Sequence, residues 1–289
     1  MTLRVDGLGP SVLVQDLGRP GWAHLGVPRS GALDRPAAAL ANRLVGNDPF
    51  AACLEVLLGG LALRADAGIW VAVTGAPCPV EIDGRAEAFG SAVRVPGGGR
   101  LSLGRPRAGL RSYVAVSGGI DVPPVLGSRS TDTLGRVGPA PLVVGDVLPV
   151  GIAGSAPAPL DTPRPPGLGP LRLTRGPRAD RVAGDVLDLL ERTSYTVSPD
   201  SDRVGLRLVG DPLPLASDRS QGSRGELPSE GVVLGSVQVP PDGRPVVFLA
   251  DHPTTGGYPV VAVVEEADLW QCAQLRPGER VHLRRAATR

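Results

Sequence analysis

The chain contains no lysine. All 30 of its basic residues are arginines, set against 29 acidic residues, so the formal charge is +1. Without lysine the chain cannot carry covalent biotin, cannot form a Schiff base and has no P-loop lysine for nucleotide phosphates. A carrier biotin, or a lysine-based ATP site, must then come from another polypeptide. The near-zero charge gives no broad basic surface for nucleic acid or an anionic membrane, so neither is an expected partner. Cysteine is scarce: Cys53, Cys78 and Cys272 are an odd number without CxxC spacing, the pattern of free buried thiols in a reducing compartment. Histidine occurs at positions 24, 252 and 282, never in an HxH or HExxH pattern, and no metal centre is expected. No GxSxG elbow or Cys–His signature indicates covalent acyl chemistry. No apolar run reaches the roughly 18 residues that span a bilayer. The opening residues also lack a charged segment followed by an apolar one, so no secretory leader is expected. A cytoplasmic location is the expectation.

Glycine and proline, by contrast, are plentiful. Forty glycines and 31 prolines in 289 residues are spread between apolar runs rather than gathered in tracts. That is how a mainly β chain of many short strands, with a few short helices, reads. The length suits two domains of moderate size. Residues 151–170, with six prolines and no apolar periodicity, mark the boundary. The expected division is a β-rich unit over 1–155, a proline-rich linker over 156–170 and a second β-rich unit over 171–289. Pro36–Val45 is the best-marked helix: Asp34 stands ready as N-cap and Gly46-Asn47 closes it. Glu55 follows it, either a general base or a buried group bonding backbone amides. Ser112–Val116 reads as a buried strand. The later run Leu126-Gly127-Ser128-Arg129-Ser130-Thr131-Asp132-Thr133 suits an anion site and an ordinary exposed loop equally.

The stretch densest in chemistry is Ser229–Tyr258. Residues 233–239 alternate small or apolar with polar residues, placing Gln238 on the polar side of a strand. Pro240-Pro241-Asp242-Gly243 is a turn cluster, and Val246–Ala250 is apolar on both faces. The loop that follows, Asp251-His252-Pro253-Thr254-Thr255-Gly256-Gly257-Tyr258, is polar and paired with glycines, where ligands are commonly held. A hairpin in register returns this loop to the start of the first strand, where Glu230 lies. Glu230 and Asp251 are therefore expected to flank one pocket, with Arg203 compensating their charge. In this reading Glu230, Asp251 and Gln238 carry the chemistry by orienting water or a substrate amide. Arg203, Thr254, Thr255, Gly256, Gly257 and Tyr258 bind substrate, the 254–257 backbone holding an oxyanion or carboxylate. The alternative is that both carboxylates merely bond backbone amides of their loops.

Two N-terminal loops, QDLGRPG (residues 15–21) and GVPRSGALD (residues 26–34), add Arg19 and Asp34. A guanidinium there offers a bidentate fork to a carboxylate or phosphate; equally, both residues can clamp the loops to one another. On the binding reading, alanine at either position abolishes turnover and leaves the melting temperature nearly unchanged.

These two loops, YTVSPDSDRVGLRL (residues 195–208) and the 229–259 stretch together resemble one family. It unites the C component of bacterial 5-oxoprolinase with the biotin-dependent carboxyltransferases, also called urea-amidolyase-related or allophanate hydrolase subunit 2. The resemblance covers nearly the whole chain. It implies two packed β-barrel-like subdomains, the second cyclophilin-like. It also implies one component of an ATP-dependent amidohydrolase that opens 5-oxoproline to glutamate. ATP with magnesium would be shared with the B component of the same enzyme in a heterodimer or heterotetramer, with a separate A component possible. Two other activities fit the same resemblance: a carboxyltransferase moving CO2 from biotin on another chain to urea or an amide, and a non-enzymatic module that antagonises a kinase inhibitor.

Overall fold

The computed structural model describes residues 1–154, 157, 162, 167–216 and 227–287. Most of the expected linker at 156–170, and most of the polar loop before Leu227, lie outside the described residues. The chain divides into two compact units. The first is Met1–Arg19, Ser30–Asp132 and Arg136–Pro166; the second is Pro20–Arg29, Thr133–Gly135 and Gly167–Arg289.

The first unit contains β1 (Thr2–Gly7), β2 (Ser11–Gln15), α1 (Arg35–Leu44), β3 (Cys53–Leu57), β4 (Ala62–Ala65), β5 (Ile69–Gly75), β6 (Val80–Ile82), β7 (Arg85–Glu87), β8 (Ala92–Val95), β9 (Arg100–Leu103), β10 (Arg111–Val116) and β11 (Val147–Pro149). They form a six-stranded sheet, β11-β1-β4-β9-β6-β7, and a five-stranded sheet, β2-β3-β10-β5-β8. One core joins them, with Leu3, Val5 and Leu63 from the first sheet and Val12, Val71 and Val114 from the second. Each such side chain contributes about 1.5–3 kcal/mol on full burial. β10 is buried at every position. Val114 and Val116 face this core, whereas Tyr113 and Ala115 belong to a second cluster with Ala38, Ala41 and Leu44 of α1. A strand covered on both faces has no reason to alternate in polarity. Asp34 caps α1 as its sequence suggested, its carboxylate accepting from the Ala37 amide at 3.0 Å.

The second unit contains β12 (Leu171–Arg175), α2 (Val186–Arg192), β13 (Tyr195–Val197), β14 (Gly205–Val209), β15 (Glu230–Gly231), β16 (Ser236–Gln238), β17 (Val246–Phe248), β18 (Thr255–Gly256), β19 (Val260–Val264), α3 (Leu269–Cys272), β20 (Arg280–Val281) and β21 (Leu283–Arg285). Eight of these strands form one sheet, β20-β13-β14-β17-β16-β19-β12-β21. Its two edge strands, β20 and β21, are separated in the chain only by His282, whose carbonyl accepts from the Leu171 amide at 2.7 Å. The edges therefore meet and the sheet curls nearly to closure, removing the exposed edges that open sheets present. The β16–β17 hairpin pairs Val237 with Val247 and Gln238 with Val246. Its turn closes through Gly243 N–H to the Pro240 carbonyl at 2.9 Å, with Gly243 at φ 75°. Mainly β architecture in two β-rich subdomains is thus what the chain adopts. Among the described residues, no helix is long and apolar enough to cross a membrane.

Candidate functional site

In the second unit Asp251 lies three residues beyond the end of β17 and is fully buried. Its carboxylate holds Arg203 bidentately, Nε to Oδ2 at 2.9 Å and Nη2 to Oδ1 at 3.2 Å. Thr133 donates twice more to Oδ2, from its amide at 3.0 Å and its hydroxyl at 2.7 Å. The backbone repeats the link, the Asp251 amide donating to the Arg203 carbonyl at 3.1 Å. Burial pushes the Asp251 carboxyl upward, but the Arg203 guanidinium and the Thr133 donors outweigh it and hold it below the ordinary carboxylate range. A carboxylate so saturated and so acidic is a poor proton acceptor near neutral pH. Its geometry suits a rigid strut that orients the 251–258 loop.

Glu230 stands near that loop, as the hairpin register requires. β15 pairs with β18, Glu230 opposite Gly256, and the Val232 amide donates to the Thr254 carbonyl at 3.0 Å. Its charge partner, however, is not Arg203. Arg178 grips Glu230 through Nε to Oε2 at 3.0 Å and through Nη2 to Oε1, and that guanidinium lowers the Glu230 carboxyl. The two carboxylates therefore hold different arginines, and the expectation of one arginine serving both is corrected. Arg178 was invisible in the sequence because nothing local ties it to a residue 52 positions away.

Gln238 also departs from expectation. It is buried rather than on a wet face. Its Nε2 donates to the Tyr258 carbonyl at 3.0 Å, and a Cβ on Gly256 would lie 2.6 Å from that nitrogen. The polar face of β16 is covered by the very loop that follows β17, and glycine at 256 permits the approach. A register shift against β19 falls between Val237 and Gln238, and such bulges re-aim a side chain. Thr255 is exposed, while Thr254, Gly256, Gly257 and Tyr258 are half-buried. The Gly257 carbonyl accepts from the Leu227 amide at 2.7 Å.

His252 is buried beside this loop and stacks on Phe248, ring centroids 5.9 Å apart. Burial lowers its pKa from the ordinary histidine value, so the folded chain holds it neutral. A histidine whose folded pKa is depressed contributes stability above its unfolded pKa, lost as pH falls through about 6.5. Urea midpoints are accordingly expected to decline from pH 7.5 to 5.5, and His252→Phe should flatten that slope. An unchanged slope in the variant would remove His252 as its source.

In the first unit, Arg19 is 1% exposed and donates to two carbonyls, Val125 O from Nε at 3.3 Å and Ser130 O from Nη2. Asp34 is buried; besides capping α1 it offers its amide to the Tyr113 hydroxyl at 2.7 Å. That hydroxyl donates to Glu55 Oε2 at 2.8 Å, which also accepts from the Leu33 amide at 3.0 Å. Arg111 lies 3.4 Å from Glu55 Oε1. Burial and the nearby Glu55 charge push the Tyr113 phenol upward, so it stays protonated and donating. Glu55 is thus the amide-bonding group of the two readings considered. The hydroxyls of Ser128 and Ser130 in the hydroxyl-rich run are spent internally as well. Ser128 and Ser130 donate to Asp16 Oδ1 at 2.6 and 2.5 Å, and Arg129 bonds Asp121 and the Val122 carbonyl. A cavity of about 460 Å³ lies elsewhere, at the seam of the curled sheet between Leu168–Leu171 and Glu279–His282. None of the candidate residues lines it.

A family model for the carboxyltransferase domain, subdomain A and B, matches residues 25–285. The chain belongs to that family. It is 39% identical to the C component of the Escherichia coli 5-oxoprolinase, over 97% of this chain and 90% of that protein. The crystal structure of TTHA0988 matches at 40% identity and TM-score 0.87, covering 98% of this chain, which spans 55% of the other. The Kluyveromyces lactis urea amidolyase matches at 32% identity and TM-score 0.89, covering 99% of this chain, which spans only 19% of that enzyme. The family's relatives are thus parts of larger enzymes, one a named component of an assembly and the other a single long chain.

Proposed function

We propose that this chain is the C component of an ATP-dependent 5-oxoprolinase, acting with a B-component partner to activate the lactam of 5-oxoproline for hydrolysis to glutamate. The observation that carries this reading is reciprocal coverage. The chain and the 5-oxoprolinase C component match over nearly their full lengths, whereas the urea amidolyase devotes only a fifth of its own chain to the match. The geometry supports shared rather than solitary activity. Arg19 is committed to loop carbonyls, Arg203 to Asp251 and Arg178 to Glu230, and no lysine exists to meet nucleotide phosphates. ATP and its magnesium would therefore draw most of their charge compensation from the partner. In this reading Thr254–Tyr258 forms the substrate-facing loop, Gln238 holds it from behind, and the Arg203–Asp251 and Arg178–Glu230 pairs fix its two ends. The proposal includes a cytoplasmic location. Three buried free thiols support a reducing compartment, and burial pushes Cys272 up to about 12, which makes it inert.

The test is turnover. The purified chain alone is expected to show no 5-oxoproline-dependent ATPase, and the pair reconstituted with the B component to show it. Substantial activity from the single chain would sink the partnership. The carboxyltransferase reading, favoured by the fold shared with urea amidolyase, would replace this one if the chain instead moved carboxyl groups from a biotin carrier to urea.

A further inference from the structure

The curled sheet of the second unit leaves one gap, at the seam where its two edges meet. A single stretch serves both edges there: β20 pairs with β13, and β21 pairs in parallel with β12. The Val197 amide donates to the Glu279 carbonyl at 3.0 Å, and Tyr195 lies opposite Val281. Alternation in an antiparallel ladder then turns the N–H and C=O of Arg280 away from β13 and toward the seam. On the other side, the parallel ladder begins where the Leu171 amide meets the His282 carbonyl at 2.7 Å. One step earlier along it, the Gly169 amide would meet the Arg280 carbonyl. It donates instead to Gln271 Oε1 at 2.6 Å, from a side chain that is itself buried. Gln271 of α3 thus holds residues 168–170 off the strand. The Arg280 carbonyl and the His282 amide are left without a backbone partner among the described residues. The cavity of about 460 Å³ occupies this gap, a volume within the range of natural binding pockets, about 300–1,000 Å³. Leu171 and Leu275 line it from the buried side, and Leu168 stands 48% exposed at its wall. Arg280, His282 and Arg284 are exposed while Val281 and Leu283 are buried, so the three share the outer face of the strand. Neither Arg280 nor Arg284 has an ion-pair partner among the described residues. The acids nearby are already taken: Asp268 and Glu265 hold Arg172, which lies beside Arg284 in the register, and Glu279 accepts from the Arg276 amide at 2.9 Å.

We propose that this seam is a docking groove for an extended, acidic segment of a partner protein, which adds as a strand to the free edge at Arg280–His282. The unanswered main-chain groups provide the ladder from which an added strand draws its affinity, and pockets for alternate side chains set its specificity. Side chains of an extended segment alternate between two faces. One set meets the apolar lining of Leu171 and Leu275; the other lies beside Arg280, His282 and Arg284. Two arginines without counter-charges favour carboxylates on that second face and reject a basic segment. A free edge is also a hazard that native sheets ordinarily cover. The inference goes beyond the 5-oxoprolinase reading and does not rest on it.

The experiment is fluorescence anisotropy of the full chain with an N-terminally labelled Glu-Val-Glu-Val-Glu amide, its Lys-Val-Lys-Val-Lys counterpart, and acetylglutamate amide as a single-residue competitor. Hydrogen exchange reads the bound state. Saturable binding of the acidic peptide is expected, with none of the lysine peptide and with slowed exchange at the Arg280 and His282 amides. The double variant Arg280→Glu, Arg284→Glu changes two exposed side chains that hold no ion pair, so its melting temperature should stand. Its affinity for the acidic peptide should fall by about tenfold or more, and the lysine peptide should now bind. Gly169 lies outside the left-handed region, and a Cβ there would meet nothing within 4 Å. Gly169→Leu should therefore fill the gap and weaken the acidic peptide by a similar factor. Equal binding of that peptide by wild type and the double variant would overturn the groove, as would its failure to bind wild type. Binding without protection of the Arg280 and His282 amides overturns it too, since charge alone would then hold the peptide. Displacement by an equal concentration of acetylglutamate amide overturns it in favour of a small-carboxylate site.

Discussion

Arg203→Ala is expected to destabilise the second unit by about 3–5 kcal/mol, the cost of leaving a buried carboxylate without its counter-charge. Asp251 is fully buried and Arg203 is 5% exposed, so neither charge can turn to solvent when its partner is lost. Two Thr133 donors would remain on Asp251, which keeps the loss from being larger. Arg203→Lys retains a charge but not the two-pronged contact with both oxygens, so an intermediate loss is expected. The measurement is the urea midpoint of the full chain, with hydrogen exchange locating the loss to Gly205–Val209 and Val246–Phe248. The pH dependence carries the same signature. Because the folded pKa of Asp251 is depressed, its stabilisation is present above about pH 4 and is lost as pH falls through the folded value. Asp251→Asn should remove that acid limb. If Arg203→Ala keeps the wild-type midpoint yet abolishes turnover, the pair belongs to substrate chemistry and not to the framework.

What could be read in the sequence was local. The Pro240–Gly243 turn, the Asp34 cap and the doubly covered strand at Ser112–Val116 all follow from signals spanning fewer than about a dozen residues, the range over which periodicity and turn chemistry speak. Asp251 after a buried strand was legible for the same reason. What could not be read was which charge meets which. Two neighbouring carboxylates call for a counter-charge, which in the sequence points to Arg203. The structure gives Glu230 to Arg178, and closes Asp251 with Thr133 from 118 positions away. Gln238 shows the other limit. Alternation correctly placed it opposite the valines, yet the face it occupies is dry, because a loop 20 residues later folds over it. Alternation reports which face a side chain takes, not whether that face meets water.

Arg19→Ala is the second large effect, and its expected sign differs from the binding expectation drawn from the motif. A ligand-holding guanidinium on a flexible loop could be removed with the melting temperature intact. Arg19 is instead almost wholly enclosed, with Nε on the Val125 carbonyl and Nη2 on the Ser130 carbonyl. A Cβ on Gly138 would come within 3.0 Å of Nη2 and 2.1 Å of the Ser130 oxygen, so the guanidinium is packed as tightly as a core side chain. Truncation strips donors from two carbonyls, at about 1–3 kcal/mol for each one left unsatisfied, and opens a cavity that adjoining loops fill only in part. A loss of about 2–4 kcal/mol is expected, read as a lower urea midpoint for the first unit, with turnover falling only as far as the folded fraction falls. Arg19→Lys should not restore it, since one ammonium cannot reach both carbonyls in the planar geometry of the fork. A variant with the wild-type midpoint and no turnover would return Arg19 to the ligand, and the two N-terminal loops with it.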